Sequence, residues 1–290
     1  MNMVKGLLCS TLPLFAMTAA CAVPTEGAES TGEKTASTTS AYSSRSEIDG
    51  NVKSFKTLDG NTTYVLGTDG NLWREIGSNA DRTWVDGNVK DFQPIDSNWV
   101  FVLGSDNTLW REYGDMHDRI QVDANVASFQ ALSDAYTVYV EGTDAKLWRE
   151  YGTLSDRVQV DANVSAFQAI NASTVYVLGS DAKLWNETGS YTNRFQVDAN
   201  VKSFKAIDAS TVYVLGSDNK LWHETGTLNS RYQVDANVKA FFPVDGAVVY
   251  VEGIDLNLWR EVYTMSTRDL VDGNVSAFQP VGYYEAVVLG

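Results

Sequence analysis

Residues 200–236 read NVKSFKAIDASTVYVLGSDNKLWHETGTLNSRYQVDA. Four segments inside this stretch, VKSFKAI, TVYVLG, KLWHET and RYQVD, are rich in Val, Tyr, Phe and Trp. Gly, Asp, Asn and Ser separate them, and those residues favour turns. Each segment has the length of one strand, so the stretch reads as a four-stranded meander. No part of it carries a sustained helical period. The stretch is one copy of a repeated unit. Asn-Val recurs at 51, 88, 125, 163, 200, 237 and 274, in steps of 37, 37, 38, 37, 37 and 37 residues. Leu-Trp recurs six times, placing Trp73, Trp110, Trp148, Trp185, Trp222 and Trp259 at matching positions.

Four-stranded units joined head to tail predict an all-β chain folded as a β-propeller, with blades of about 37 residues. Solenoid repeats of that length carry helices, and none is legible here. Seven blades are expected, six full and one partial. Arg45–Val52 carries the tail of a unit, R-x-x-[VI]-D-[GA]-N-V, and Asn274–Gly290 carries the head of one. The last unit lacks the D-x-x-L-W-x-E segment, so about three strands are expected there. Six full blades with a remnant is the alternative.

Composition narrows the function. The 290 residues include 22 Lys and Arg against 37 Asp and Glu, a net charge of −15 at pH 7. Such a surface argues against nucleic acid and against electrostatic binding to anionic lipid. Two histidines and two cysteines argue against a multi-His metal site, a Cys-rich zinc site and a disulfide framework. No cofactor or metal is expected.

The N-terminus reads as an export address. Residues 1–21, MNMVKGLLCSTLPLFAMTAAC, have a basic Lys5, a short apolar run and small residues before Cys21. This resembles a bacterial lipobox, with Cys21 as the lipidated residue. Cleavage after Ala22, followed by plain secretion, is the alternative. Residues 22–44 are rich in Ser, Thr, Glu and Gly and read as a flexible tether. The propeller domain is expected over 45–290, on a cell-surface or outer-membrane lipoprotein, or else secreted.

The repeats can be compared with one another. Phe recurs at 55, 92, 129, 167, 204, 241 and 278 in the first strand and reads as blade core. A G-x-D element, from Gly67/Asp69 to Gly253/Asp255, reads as a hairpin turn; one Asp per turn is too few for calcium. Glu and Arg recur seven apart, from Glu75/Arg82 to Glu261/Arg268, around a turn. A hairpin there sets them opposite each other, and sets Trp73 opposite Trp84 and Trp110 opposite Gln121. Trp, Glu, Arg and the later Asp are expected on one face. The Asp of D-[GA]-N, from Asp49 to Asp272, is expected to accept backbone N–H bonds in the link between blades.

The Trp series has two readings, space-filling between blades or stacking platforms for sugars. The next residue varies as Arg74, Arg111, Arg149, Asn186, His223 and Arg260. That variation suggests exposure, which makes these residues candidate ligand contacts beside the six Trp. His223 is expected as an exposed substitute for Arg, and His117 to lack an orienting partner. Six near-identical copies argue against catalysis, which needs one asymmetric set of groups.

The unit [VI]-D-G-N-V-K-x-F…V-[YF]-V-L-G-[ST]-D-x-x-L-W-R-E, best seen in Trp84–Phe92 and Val100–Glu112, resembles the tectonin repeat of lectin-like propellers. The resemblance covers 45–290 and implies multivalent glycan binding. Only Trp84 matches that repeat's opening Trp; Gln121, Gln159, Gln196 and Gln233 stand in its place. The VYVLGSD…LW pattern also looks like the quinoprotein-type repeats of outer-membrane assembly lipoproteins. That likeness implies a protein-binding scaffold. Partners are thus expected to be glycans or a surface protein, and contact with membrane to come only through a lipid anchor.

Overall fold

The computed structural model describes residues 49–289, apart from 60, 191 and 227–229. The expected signal peptide, the tether and Arg45–Ile48 lie outside the described residues.

Six antiparallel four-stranded sheets follow one another along the chain, each with its strands in sequence order. They span 52–86, 89–123, 126–162, 164–198, 201–235 and 238–272, and are numbered here as blades 1 to 6. A seventh sheet, 277–289, has two strands among the described residues, Ala277–Pro280 and Ala286–Leu289. The sequence led us to expect about three. In blade 5 the strands are Val201–Ala206, Thr211–Gly216, Leu221–Thr225 and Arg231–Asp235, matching the four segments read from the sequence.

Burial explains the composition of each strand. The second strand, TVYVLG and its relatives, is buried on both faces because a blade is covered on both sides by its neighbours. Six apolar clusters hold the blades together, each straddling two successive blades. In one of them Tyr176, Leu178, Leu184 and Val197 of blade 4 meet Val201, Phe204, Val212 and Val214 of blade 5. From Phe92 onward the repeated Phe is in this layer, as expected: Tyr176 and Phe204 have centroids 6.3 Å apart, and Tyr64 and Phe92 6.5 Å. Each such side chain contributes about 1.5–3 kcal/mol when fully buried. Stability is therefore concentrated between nearest-neighbour blades.

The innermost strands add a polar link. Gln93 donates to the Ala131 carbonyl and accepts the Ala131 N–H, at 2.7 and 2.9 Å. Gln130 does the same to Ala169, and Gln168 to Ala206.

The antiparallel order gives the molecule two unlike ends. The turns joining strands one to two and three to four lie at one, the hairpin end. The turns joining strands two to three, and the links between blades, lie at the other, the link end. Each link turns on an Asn in the left-handed region, with φ of 54–60° at Asn51, Asn88, Asn125, Asn163, Asn200, Asn237 and Asn274. Asn tolerates that conformation better than most residues.

Candidate functional site

The third strand of each blade alternates its faces, and the two faces do different work. Trp and Glu point toward the preceding blade. Between them, the residue after Trp points toward the following one.

On the first face the hairpin register is as expected. Glu75 pairs with Arg82, Glu112 with Arg119, and so on through Glu261 with Arg268; Trp73 faces Trp84 and Trp110 faces Gln121. The guanidinium of each Arg lies over the Trp two positions before its Glu, 4.0–4.2 Å from the ring in all six blades. The Trp is half-buried, with one indole face taken by the protein's own cation.

The same Arg reaches the preceding blade. Arg119 pairs with Asp86 at 3.0 Å, Arg194 with Asp161 at 2.7 Å and Arg231 with Asp198 at 2.9 Å. Arg82, Arg157 and Arg268 pair likewise with Asp49, Asp123 and Asp235, each at 3.3 Å. This corrects the expected face of the Asp. A register shift falls between Leu72 and Trp73, and at the same place in every full blade. It turns the following residues, so Val85 enters the cluster shared with blade 2 while Asp86 ion-pairs across the same junction. Each Asp also accepts the next residue's N–H, as expected, for example from Gly87 at 2.7 Å.

The Glu carboxyls are fully buried. Burial, and then the preceding blade's Asp, push their pKa values up, and Arg only partly offsets this. Glu75 rises to about 7, Glu150, Glu187 and Glu224 to about 8, and Glu112 and Glu261 to about 9. At neutral pH most of them are uncharged acids beside an Asp carboxylate. The expected contact between Glu and Arg is present, at 3.1 Å for Glu187 with Arg194, 3.3 Å for Glu224 with Arg231 and 3.5 Å for Glu112 with Arg119, and the preceding blade's Asp joins it in a cluster of two carboxyls around a guanidinium stacked on an indole.

No family model matches the chain, and no curated protein sequence matches it. Solved structures do. The structure of YCF48 bound to D1 peptide aligns with a TM-score of 0.56 at 7% identity, covering 84% of this chain and 90% of that one. Kluyveromyces lactis Hsv2p aligns at 0.52 and 12% identity over 74% and 76%. The WD40 β-propeller domain of Doa1 aligns at 0.52 and 12% over 84% and 90%. The chain folds as a β-propeller. At these identities the likeness concerns the fold alone.

On the second face the residues after Trp are not exposed. Arg111, Asn186 and His223 are buried, and Arg74, Arg149 and Arg260 are half-buried. Four of them donate to a carbonyl of the following blade. Arg74 reaches Ser97 at 2.5 Å, Arg111 reaches Ala135 at 3.2 Å, Arg149 reaches Ala172 at 2.7 Å and Asn186 reaches Ala209 at 2.9 Å. Arg260 instead ion-pairs with Asp269 and lies 4.5 Å from the Tyr284 ring. His223 is stacked on Tyr232 at 4.7 Å and meets Tyr213 edge-on at 4.9 Å. Burial lowers its pKa. Its expected role as an exposed replacement is corrected. His117 does have a partner, since its Nδ1 is 3.0 Å from Asp115.

At the link end two equivalent grooves open, one junction apart. The first, about 340 Å³, is lined by Asp161 of one blade, by the link residue Asn163 and by Ser180, Lys183, Trp185 and Arg194 of the next blade. The second, about 430 Å³, is lined by the matching Asp198, Asn200, Ser217, Lys220, Trp222 and Arg231. The G-x-D turn forms one wall. Its Asp accepts the N–H two residues on, as Asp181 does from Lys183 at 3.2 Å. A Cβ on Gly179 or Gly216 would sit under 3.0 Å from that Asp carboxylate, so a larger residue there would displace the Asp side chain that holds the turn. The sequence singled out the Trp but missed the Asn, Lys and stacked Arg as lining groups. Their signal was present in the fixed spacing from each Asp to the Arg of the next repeat.

Proposed function

We propose that the protein is a non-enzymatic recognition propeller that binds glycans multivalently at its link end. One observation carries this reading: successive blade junctions hold grooves with the same lining at every matched position. Each offers an indole beside amide, ammonium, hydroxyl and carboxylate groups, which suit the ring face and the hydroxyls of a sugar. The residues after Trp are engaged inside the protein, four of them by a carbonyl of the following blade, so the polar contacts fall to Asn163, Lys183 and Arg194 and their equivalents. Individual grooves of this size bind weakly, and copies on one rigid body gain avidity on a repeated ligand.

A glycan array probed with the propeller region tests the proposal. Asn163→Gly with Asn200→Gly keeps the left-handed link and removes two side chains; it should weaken binding to a multivalent glycan by about tenfold. An array with no positive at high valency would overturn the reading. A protein-binding scaffold is the second reading, favoured because YCF48, of the same fold, is seen with a peptide bound. Export and lipid attachment at Cys21 complete the proposal. Fatty-acid labelling should tag the protein, and Cys21→Ser should remove the tag.

A further inference from the structure

Differences between blades mark what the fold does not require. At the hairpin end, the residue that opens the second strand is Thr62, Thr137, Thr174, Thr211 or Val248, but Trp99 in blade 2. The residue just before it is Asn61, Asn98, Ser173, Ser210 or Ala247, but Tyr136 in blade 3. The matching residue of the third strand is Ile76, Thr188, Thr225 or Val262, but Tyr113 in blade 2 and Tyr151 in blade 3. Four aromatics thus gather in two adjacent blades, while blades 4 and 5 fold with Ser and Thr at these positions.

The rings form one arc. Trp99 and Tyr113 have centroids 4.9 Å apart, and Tyr136 and Tyr151 5.8 Å. Arg111 bridges the two pairs across the junction, 5.0 Å from Trp99 and 4.7 Å from Tyr136. Tyr113 and Tyr136 are each 46% exposed and Tyr151 58%.

Charge decides what the arc suits. Arg111 is buried and donates inward to the Ala135 carbonyl. Arg149 beside Tyr151 is half-buried and donates to Ala172. Exposed carboxylates stand at the rim: Asp96, whose side chain caps the N–H of Trp99, Asp134, which caps Tyr136, and Asp156, which shares with Tyr151 and Arg149 a cleft of about 350 Å³. Aromatic faces attract cations through their quadrupole, and the arc already holds one guanidinium between two of its rings.

We propose that this arc is a docking surface for a cationic peptide segment of a partner protein, its Lys and Arg side chains lying over the rings and its charges meeting Asp96, Asp134 and Asp156. The site is at the opposite end from the grooves and stands apart from the glycan reading.

Fluorescence anisotropy of labelled oligoarginine and oligolysine, titrated with the full chain, tests this against an oligoglutamate control and a neutral oligosaccharide. Tyr136→Ser with Tyr151→Thr installs the residues that blade 4 carries and changes no charge. We expect affinity for the cationic peptides to fall by about tenfold, with an unchanged thermal melt. Asp181→Asn with Asp218→Asn, at the link end, should leave it unchanged. Equal binding by wild type and the aromatic variant would mean diffuse attraction to an acidic chain and would overturn the proposal. So would capture of the oligosaccharide alone at the arc, or a dimer in sizing that the aromatic variant dissociates, since the occupant would then be a sugar or a second copy.

Discussion

Tyr263 occupies the turn position that is glycine in the other five full blades. Gly77, Gly114, Gly152, Gly189 and Gly226 have φ of 77–84°, and Tyr263 adopts 66° with its ring well exposed. A side chain in the left-handed region costs about 1–2 kcal/mol, part of which glycine returns as unfolded-state entropy. Tyr263→Gly should therefore stabilise the chain by about 0.5–1 kcal/mol in denaturant melts; no change would mean the strain is already relaxed. The left-handed Asn of each link was legible because Asn recurs at one place beside Asp and Val. The residues after Trp were not. Arg, Asn and His alternate there because several donors can reach a carbonyl of the next blade, or pack in its place. Such variation looks like exposure when the neighbour, 23 residues ahead, is out of view.

Within the blade, the seven-residue spacing across a turn was enough to set the register of strands three and four. The shift beside Trp was invisible, because nothing in the residue types marks where one strand gains a residue over its partner. That shift moves Asp to the other face, so the strongest charge partner of each Arg belongs to the preceding blade. Arg157 makes the point, lying 3.3 Å from Asp123 and 3.7 Å from a Glu150 that is mostly protonated at neutral pH. Double-mutant cycles should give a coupling of about 1 kcal/mol for Arg157 with Asp123, and a smaller one for Arg157 with Glu150. Equal couplings would restore the simple within-blade pair. The cycle is best read at pH 6, where Glu150 stays neutral.

Across the whole molecule, six buried acids titrate together. In the folded state they hold their protons up to about 7–9, while in the unfolded chain they release them near 4.5. The native state thus binds more protons between those limits. Stability should fall as pH rises from about 5 toward 9 and level off beyond. The turn carboxylates act oppositely. Hydrogen bonds lower Asp69, Asp144, Asp181, Asp218 and Asp255, and the stability they add is lost as pH falls below about 4. The melting temperature should peak near pH 5. Glu112→Gln with Glu150→Gln and Glu261→Gln should flatten the alkaline limb; a limb as steep as wild type would place the titrating groups elsewhere. The ring itself was readable from the repeats, but this titration was not, because it depends on two blades meeting. The Arg-to-Asp latch also has a direction: each blade offers a cation backward and a carboxylate forward, and Asp49 already fills the carboxylate role for Arg82 ahead of blade 1. Copies joined by such a polar connector are interchangeable links of a chain. Deleting or duplicating one whole 37-residue period by recombination would leave every latch chemically matched, so the number of blades can drift in evolution without any new junction being invented.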